Sequence, residues 1–93
     1  MFVVIRFRVP EAEQAEFAIR MRAAVDVLGK QKGFVAAQVG RNLDDPELLA
    51  LNLEFVNVGS YRRALSPFEV KLTAVPLLSQ ALDEPTAYEE LLP

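Results

Sequence analysis

Residues 2–9 read Phe-Val-Val-Ile-Arg-Phe-Arg-Val, and apolar side chains recur at every second position, Val3, Ile5, Phe7 and Val9. A strand sends alternate residues to opposite faces, so this spacing predicts a strand with one wholly apolar face. The other face runs from Phe2 and Val4 to Arg6 and Arg8, apolar at one end and cationic at the other. Pro10 ends the strand. From Glu11 to about Lys30 there is no Gly or Pro before Gly29, and Ala, Glu, Arg and Met dominate. These are strong helix formers, and Glu11, Glu13 and Glu16 stand near the end where the helix dipole favours anions. Ala18, Met21, Val25 and Leu28, flanked by Phe17 and Ala24, make the apolar stripe. Gly29 and Gly33 supply the stop and the return.

Phe34 to Arg41 predicts a second strand, weakened by Ala36, Ala37 and Gly40. Small residues at such positions let another backbone or a ligand come close. The run Asn42-Leu-Asp-Asp-Pro46 is turn chemistry, because Asn and Asp side chains bond the local backbone and Pro fixes φ. Leu48 to Val56 predicts a third strand, with Leu49, Leu51, Leu53 and Phe55 on one face and Leu48, Ala50, Asn52 and Glu54 on the other. Asn57 is placed to cap a short helix over 58–65. Ser66-Pro67-Phe68-Glu69 has the spacing of a capping box with Pro at the first helical position. Val75-Pro76 ends or bends that helix. Residues 77–82 read as helical rather than extended, and 86–91 as a last strand. The order β-α-β-β-α-β predicts an α+β chain: a ferredoxin-like sandwich with an antiparallel sheet in the order 4-1-3-2.

At 93 residues the chain is one domain, 1–93, and a domain of this size buries only about 60–70% of its unfolded surface. Disulfides and zinc commonly reinforce such small folds, but the chain has no Cys and no His. Carboxylate-bound calcium or magnesium is the one metal chemistry left open, but Asp44 and Asp45 are too few for an EF-hand-type loop, and no metal site is expected. A 52% hydrophobic content with positive mean hydropathy suggests apolar surface reserved for a second copy, a homodimer. Net charge is −3 and only Arg62 and Arg63 adjoin, so no nucleic-acid surface is expected. The apolar runs are too short for a signal peptide or a membrane span, which points to a cytoplasmic protein that does not enter the membrane.

The cationic strand face invites two readings. With the first and third strands as neighbours, Arg6 and Arg8 meet Asn52 and Glu54, and an Arg–Glu pair stabilises the sheet by roughly 0.2–1 kcal/mol. Alternatively, Arg6 or Asn52 faces a ligand cavity as an oxyanion or hydroxyl partner. Phe17, Met21, Phe55, Tyr61, Phe68 and Tyr88 read either as ordinary core or as walls of an apolar pocket with a tyrosine hydroxyl as polar handle. Arg62 and Arg63 read as a solvated helix face, or as an anion contact at the pocket mouth. Without His or Cys there is no Ser-His-Asp or Cys-His nucleophile, and no glycine-rich phosphate motif occurs.

The segments FVVIRFRV, EAEQAEFAIRMRAAVDVLG, KGFVAAQVGRNLDDP and ALNLEFVNVGSYRRALSPFEVKLTAVPLL together resemble the antibiotic biosynthesis monooxygenase family. The passage from Glu54 through Asn57 to Ser66-Pro67 looks like the family's strand-to-helix transition. The resemblance implies a dimeric α+β barrel, with two sheets facing each other and a cavity between each sheet and its helices. It also implies a cofactor-independent monooxygenase acting on a small aromatic or polyketide-like molecule, or a non-catalytic ligand-binding or stress-associated protein on the same scaffold. No metal or flavin is needed: an ionised, electron-rich substrate can itself reduce dioxygen in a dry cavity. Under this resemblance Tyr61 and Asn52 are the catalytic candidates, and Phe17, Met21, Phe55, Phe68, Tyr88 and Arg6 line the ligand pocket. The family's haem-degrading residues include Trp and His, both absent here. The Trp of its quinone-forming set is also absent, and Phe55, near that aromatic position, cannot donate a hydrogen bond. A lyase or isomerase of the wider superfamily is disfavoured by the lack of His.

Overall fold

The computed structural model describes all 93 residues. Strand β1 is Phe2–Arg8, followed by one 3-10 turn at Glu11–Glu13 and helix α1, Gln14–Gly29. Strands β2, Phe34–Arg41, and β3, Leu48–Phe55, form a hairpin. Three short helices come next, α2 at Val58–Ala64, α3 at Phe68–Thr73 and α4 at Val75–Leu78, and strand β4 is Ala87–Tyr88. The sheet is antiparallel throughout in the order β2-β3-β1-β4, the expected ferredoxin-like arrangement.

Alternation decides which face is core. Val3, Ile5, Phe7, Leu49, Leu51, Leu53 and Phe55 are buried under the helices. Each such side chain contributes about 1.5–3 kcal/mol relative to exposure. The opposite face carries Phe2, Val4, Arg6, Gln38, Ala50, Asn52 and Glu54, and no element of the chain covers it. Val70, Ala74 and Leu77 complete the core from α3 and α4.

Local chemistry shapes the connections. In the β2–β3 turn, Asn42 Oδ1 accepts from the amides of Asp44 and Asp45 at 2.8 and 2.9 Å, and Asp45 Oδ1 accepts from that of Glu47 at 3.1 Å. Asn57 caps α2, its Oδ1 accepting from the Ser60 amide at 2.8 Å. Gly33 turns the chain into β2 with φ of 91°, a conformation L side chains rarely adopt. Pro76, at the start of α4, sets the bend after α3.

Four expectations are corrected. Ser66 does not cap α3; the N-cap is Pro67, and its carbonyl receives the amides of Val70 and Lys71. Glu69 instead accepts from Gln31 Nε2 at 3.3 Å. The buried stripe of α1 is Gln14, Phe17, Met21, Ala24 and Leu28, with Val25 partly buried at its flank and Ala18 exposed. The last strand holds only two residues. Arg6 pairs in register with Ala50 and Arg8 with Leu48, so the expected Arg–Glu pair across β1 and β3 does not form. Position 54 lies opposite Phe2, at the far end of the strand.

Candidate functional site

The sequence-derived site residues divide between the two faces of the sheet. Asn52 is exposed on the uncovered face, across from Val4 and Gln38. Tyr61 sits on α2 with its ring 5.5 Å from that of Phe55, on the helical side, and burial pushes its phenol pKa up. Successive strand residues point to opposite faces, so Asn52 and the fully buried Phe55 lie on different sides. Within one chain the two catalytic candidates do not meet.

The aromatic residues likewise separate into groups. Phe17 packs edge-on against Phe7 at 5.1 Å, with the Arg20 guanidinium 5.8 Å from its ring. Phe55 is core, between Phe34 and Tyr61. Tyr88 stacks on Phe2 at 5.3 Å along the edge of the uncovered face. Phe68 is 79% exposed at the start of α3. Arg6 is held by Glu84 on the uncovered side. Of the expected pocket walls, only Met21 faces the groove described next.

That groove lies between α1 and β2 on the helical side of the sheet. Its walls are Ala18, Met21 and Val25 from α1 and Ala37 and Val39 from β2, with Arg22 at the rim and a volume of about 380 Å³. It continues past Ala18, Met21 and Val39 to Gln14, Gly40, Arg41 and Leu49, a further 220 Å³ or so. Small-molecule sites typically measure ~300–1,000 Å³ and are mostly apolar with a few polar groups; this groove has that size and lining and is half open to solvent. It lies where α1 crosses β2, an edge strand with no further strand beyond it. Val39, on the same face as the buried Leu51, is left 51% exposed.

Gln14 closes one end. Its side-chain nitrogen donates to the Val9 carbonyl at 3.0 Å and the Pro46 carbonyl at 2.6 Å, so both amide hydrogens are used in joining α1 to β1 and to the hairpin turn. The remaining polar groups are the guanidiniums of Arg22 and Arg41, neither in an ion pair. No carboxylate lines the groove. A second hollow, of about 200 Å³, lies beside Phe7 and Phe17 and mixes Glu13, Glu16 and Arg20. On the uncovered face, shallow hollows run over Gln38 and Asn52.

Sequence reasoning missed Ala18, Val25, Val39 and the two arginines as groove residues. A signal was present: Ala37 and Gly40 in β2 mark close approach, and an edge strand with Val39 on its core-facing side needs a cover the chain does not supply. No group of three or more His, Cys, Asp or Glu side chains converges, and no helix is long and apolar enough to cross a membrane.

Comparison with known proteins agrees with this architecture. Among solved structures, SnoaB, a cofactor-independent oxygenase from Streptomyces nogalater, is similar at 26% identity over 97% of this chain and 94% of its own, with a TM-score of 0.75. A conserved protein from Methanosarcina mazei Go1 is similar at 27% identity over 92% of this chain and 84% of its own, TM-score 0.74. An antibiotic biosynthesis monooxygenase sharing only 9% identity still reaches a TM-score of 0.77 over 99% and 98% of the two chains, a likeness of fold alone. No curated protein matches the sequence. The family model for antibiotic biosynthesis monooxygenases matches residues 1–66, the span that builds β1, α1, the hairpin and α2, and the chain belongs to that family.

Proposed function

We propose that this protein is a cofactor-independent monooxygenase-like protein that takes a small aromatic or polyketide-like molecule into the groove between α1 and β2. The observation that carries the reading is the groove itself: an apolar slot of about 380 Å³ on the helical side of the sheet, bordered by the unpaired Arg22, with Arg41 on its continuation. Family membership and the likeness to a cofactor-independent oxygenase support it. In the reaction proposed, an ionised substrate carbon gives up electrons to dioxygen. A methylene becomes a carbonyl, one oxygen atom enters the product and the other leaves as water. The chain's contribution is to hold the substrate anion against the apolar surface of Met21, Val25 and Val39 and to offset negative charge with Arg22 or Arg41.

We further propose that the protein is a cytoplasmic homodimer that pairs through its uncovered sheet face. Phe2 and Tyr88, 38% and 46% exposed, stack on each other along it, and no element of the chain covers the face. In such a dimer Asn52 of each chain enters the space between the sheets and serves pairing.

One observation favours a second reading, binding without turnover. The groove contains no side chain able to accept a proton at neutral pH, since a guanidinium stays protonated and Gln14 is a neutral amide. Dioxygen uptake with an anthrone or hydroquinone separates the two. Uptake above the spontaneous rate that disappears in Ala18→Phe supports the oxygenase. Binding without uptake supports the second reading, and uptake unchanged in Ala18→Phe rules out the groove as the site.

A further inference from the structure

We infer that the groove selects an apolar molecule bearing an anionic group, a carboxylate or phenolate, over a neutral molecule of the same shape. The inference rests on the groove being the ligand site. Three observations lead to it. The walls Ala18, Met21, Val25, Ala37 and Val39 offer only hydrocarbon and thioether surface, which suits a flat apolar body. The charged groups on the groove are the guanidiniums of Arg22 at one end and Arg41 toward the other.

The third is that these cations are uncommitted. Arg22 and Arg41, like every cationic side chain here except Arg6 and Arg8, form no ion pair, and no carboxylate lines the groove to compete for them. A guanidinium presents a planar fork that matches a carboxylate, and it remains charged at all working pH values. The net charge of the chain is −3, so a positive rim is a local arrangement rather than a consequence of overall composition. An anion seated there also needs no proton acceptor from the protein, which is consistent with a site that has none.

The test compares naphthoate with naphthalenemethanol and naphthalenemethylamine, three probes with one apolar body and different charge, by calorimetry at low and physiological ionic strength. Naphthoate is expected to bind about tenfold tighter than the alcohol at low salt, with the amine weakest, and added salt should narrow the gap because the cations face solvent. In the double variant Arg22→Gln, Arg41→Gln, naphthoate should fall to the level of the alcohol while the alcohol is unchanged. Ala18→Phe, at an exposed position that leaves the core intact, should abolish binding of all three. Equal affinity for naphthoate and the alcohol, or a preference that survives the double variant, overturns the inference while the groove reading stands. Failure of every probe to bind, or binding indifferent to Ala18→Phe, overturns the groove reading and this inference with it.

Discussion

Arg6 and Glu84 are joined by two hydrogen bonds, Nε to Oε2 at 2.7 Å and Nη2 to Oε1 at 2.8 Å, linking the middle of β1 to the segment before β4. The same segment is tied to β1 through its backbone, Leu82 amide to Arg6 carbonyl and Val4 amide to Thr86 carbonyl, both 2.8 Å. The hydrogen bond from Arg6 holds the Glu84 carboxyl below the ordinary glutamate value of 4.5. A carboxyl whose folded pKa is depressed contributes stability above its unfolded pKa and loses it as pH falls through the folded one. Acidification below about 4.5 should therefore loosen residues 82–88 before the core. The protection of the Val4 and Leu82 amides, taken relative to intrinsic exchange at each pH, should fall at acid pH in the native protein. In Glu84→Gln that protection should be low already at neutral pH and change little on acidification.

Gly33 and Gly40 should respond in opposite directions to alanine. A Cβ at Gly33 would lie 2.5 Å from both Cβ and Oγ of the buried Ser60, on a backbone with φ of +91°. Backbone strain of about 1–3 kcal/mol adds to the cost of overpacking. Gly40 has nothing within 4 Å of the added atom and sits in a strand, where alanine gains roughly 0.5–1 kcal/mol. Urea unfolding should show Gly33→Ala clearly destabilised and Gly40→Ala equal to or more stable than the native chain.

Tyr61 should titrate late. Burial disfavours its charged form and raises the phenol pKa above the ordinary 10.0. Because the folded state holds this proton more tightly, the associated stability is full below the unfolded pKa of about 10 and is lost as pH rises through the folded value. The chain has two tyrosines, so Tyr88→Phe isolates the signal of Tyr61. An ultraviolet titration of that variant should show tyrosinate forming only above the normal range. Tyr61→Phe removes only the hydroxyl of a half-buried ring and should change stability by less than about 1 kcal/mol. Ligand affinity should be retained, since Tyr61 lines no part of the groove.

The proposed pairing of uncovered faces makes its own prediction. Light scattering after size exclusion should give twice the 10.4 kDa chain mass. Ala50→Lys places a second cation beside Arg6 in the middle of that face, and should shift the protein to monomer while the circular dichroism of the fold is kept. A native monomer would remove the dimer from the functional reading.

The local periods were readable without any structure. Alternation at Val3-Ile5-Phe7 and Leu49-Leu51-Leu53-Phe55 identified the buried face, because a strand's side-chain period of two is a property of its own backbone. Asn57 as a cap and Asn42 as a turn residue were legible for the same reason, since each side chain bonds a backbone group only two or three residues away. The β-α-β-β-α-β order followed from these units and the connections between them. What tertiary structure alone decided is everything set by register and by the placement of one element on another. The partner of Arg6 is Glu84, 78 residues away, because β1 aligns Arg6 with Ala50 and leaves the cation facing the returning chain. Asn52 and Tyr61 part company because strand parity and the seat of α2 put them on opposite sides of the sheet. Ala18 and Val25 border the groove because the buried stripe of α1 centres on Phe17, Met21, Ala24 and Leu28, and which flank of a helical stripe is covered is settled by what packs against it. The one-dimensional pattern therefore touched the groove only through the small residues Ala37 and Gly40: it is the gap between a helix and an edge strand, and only their packing defines it.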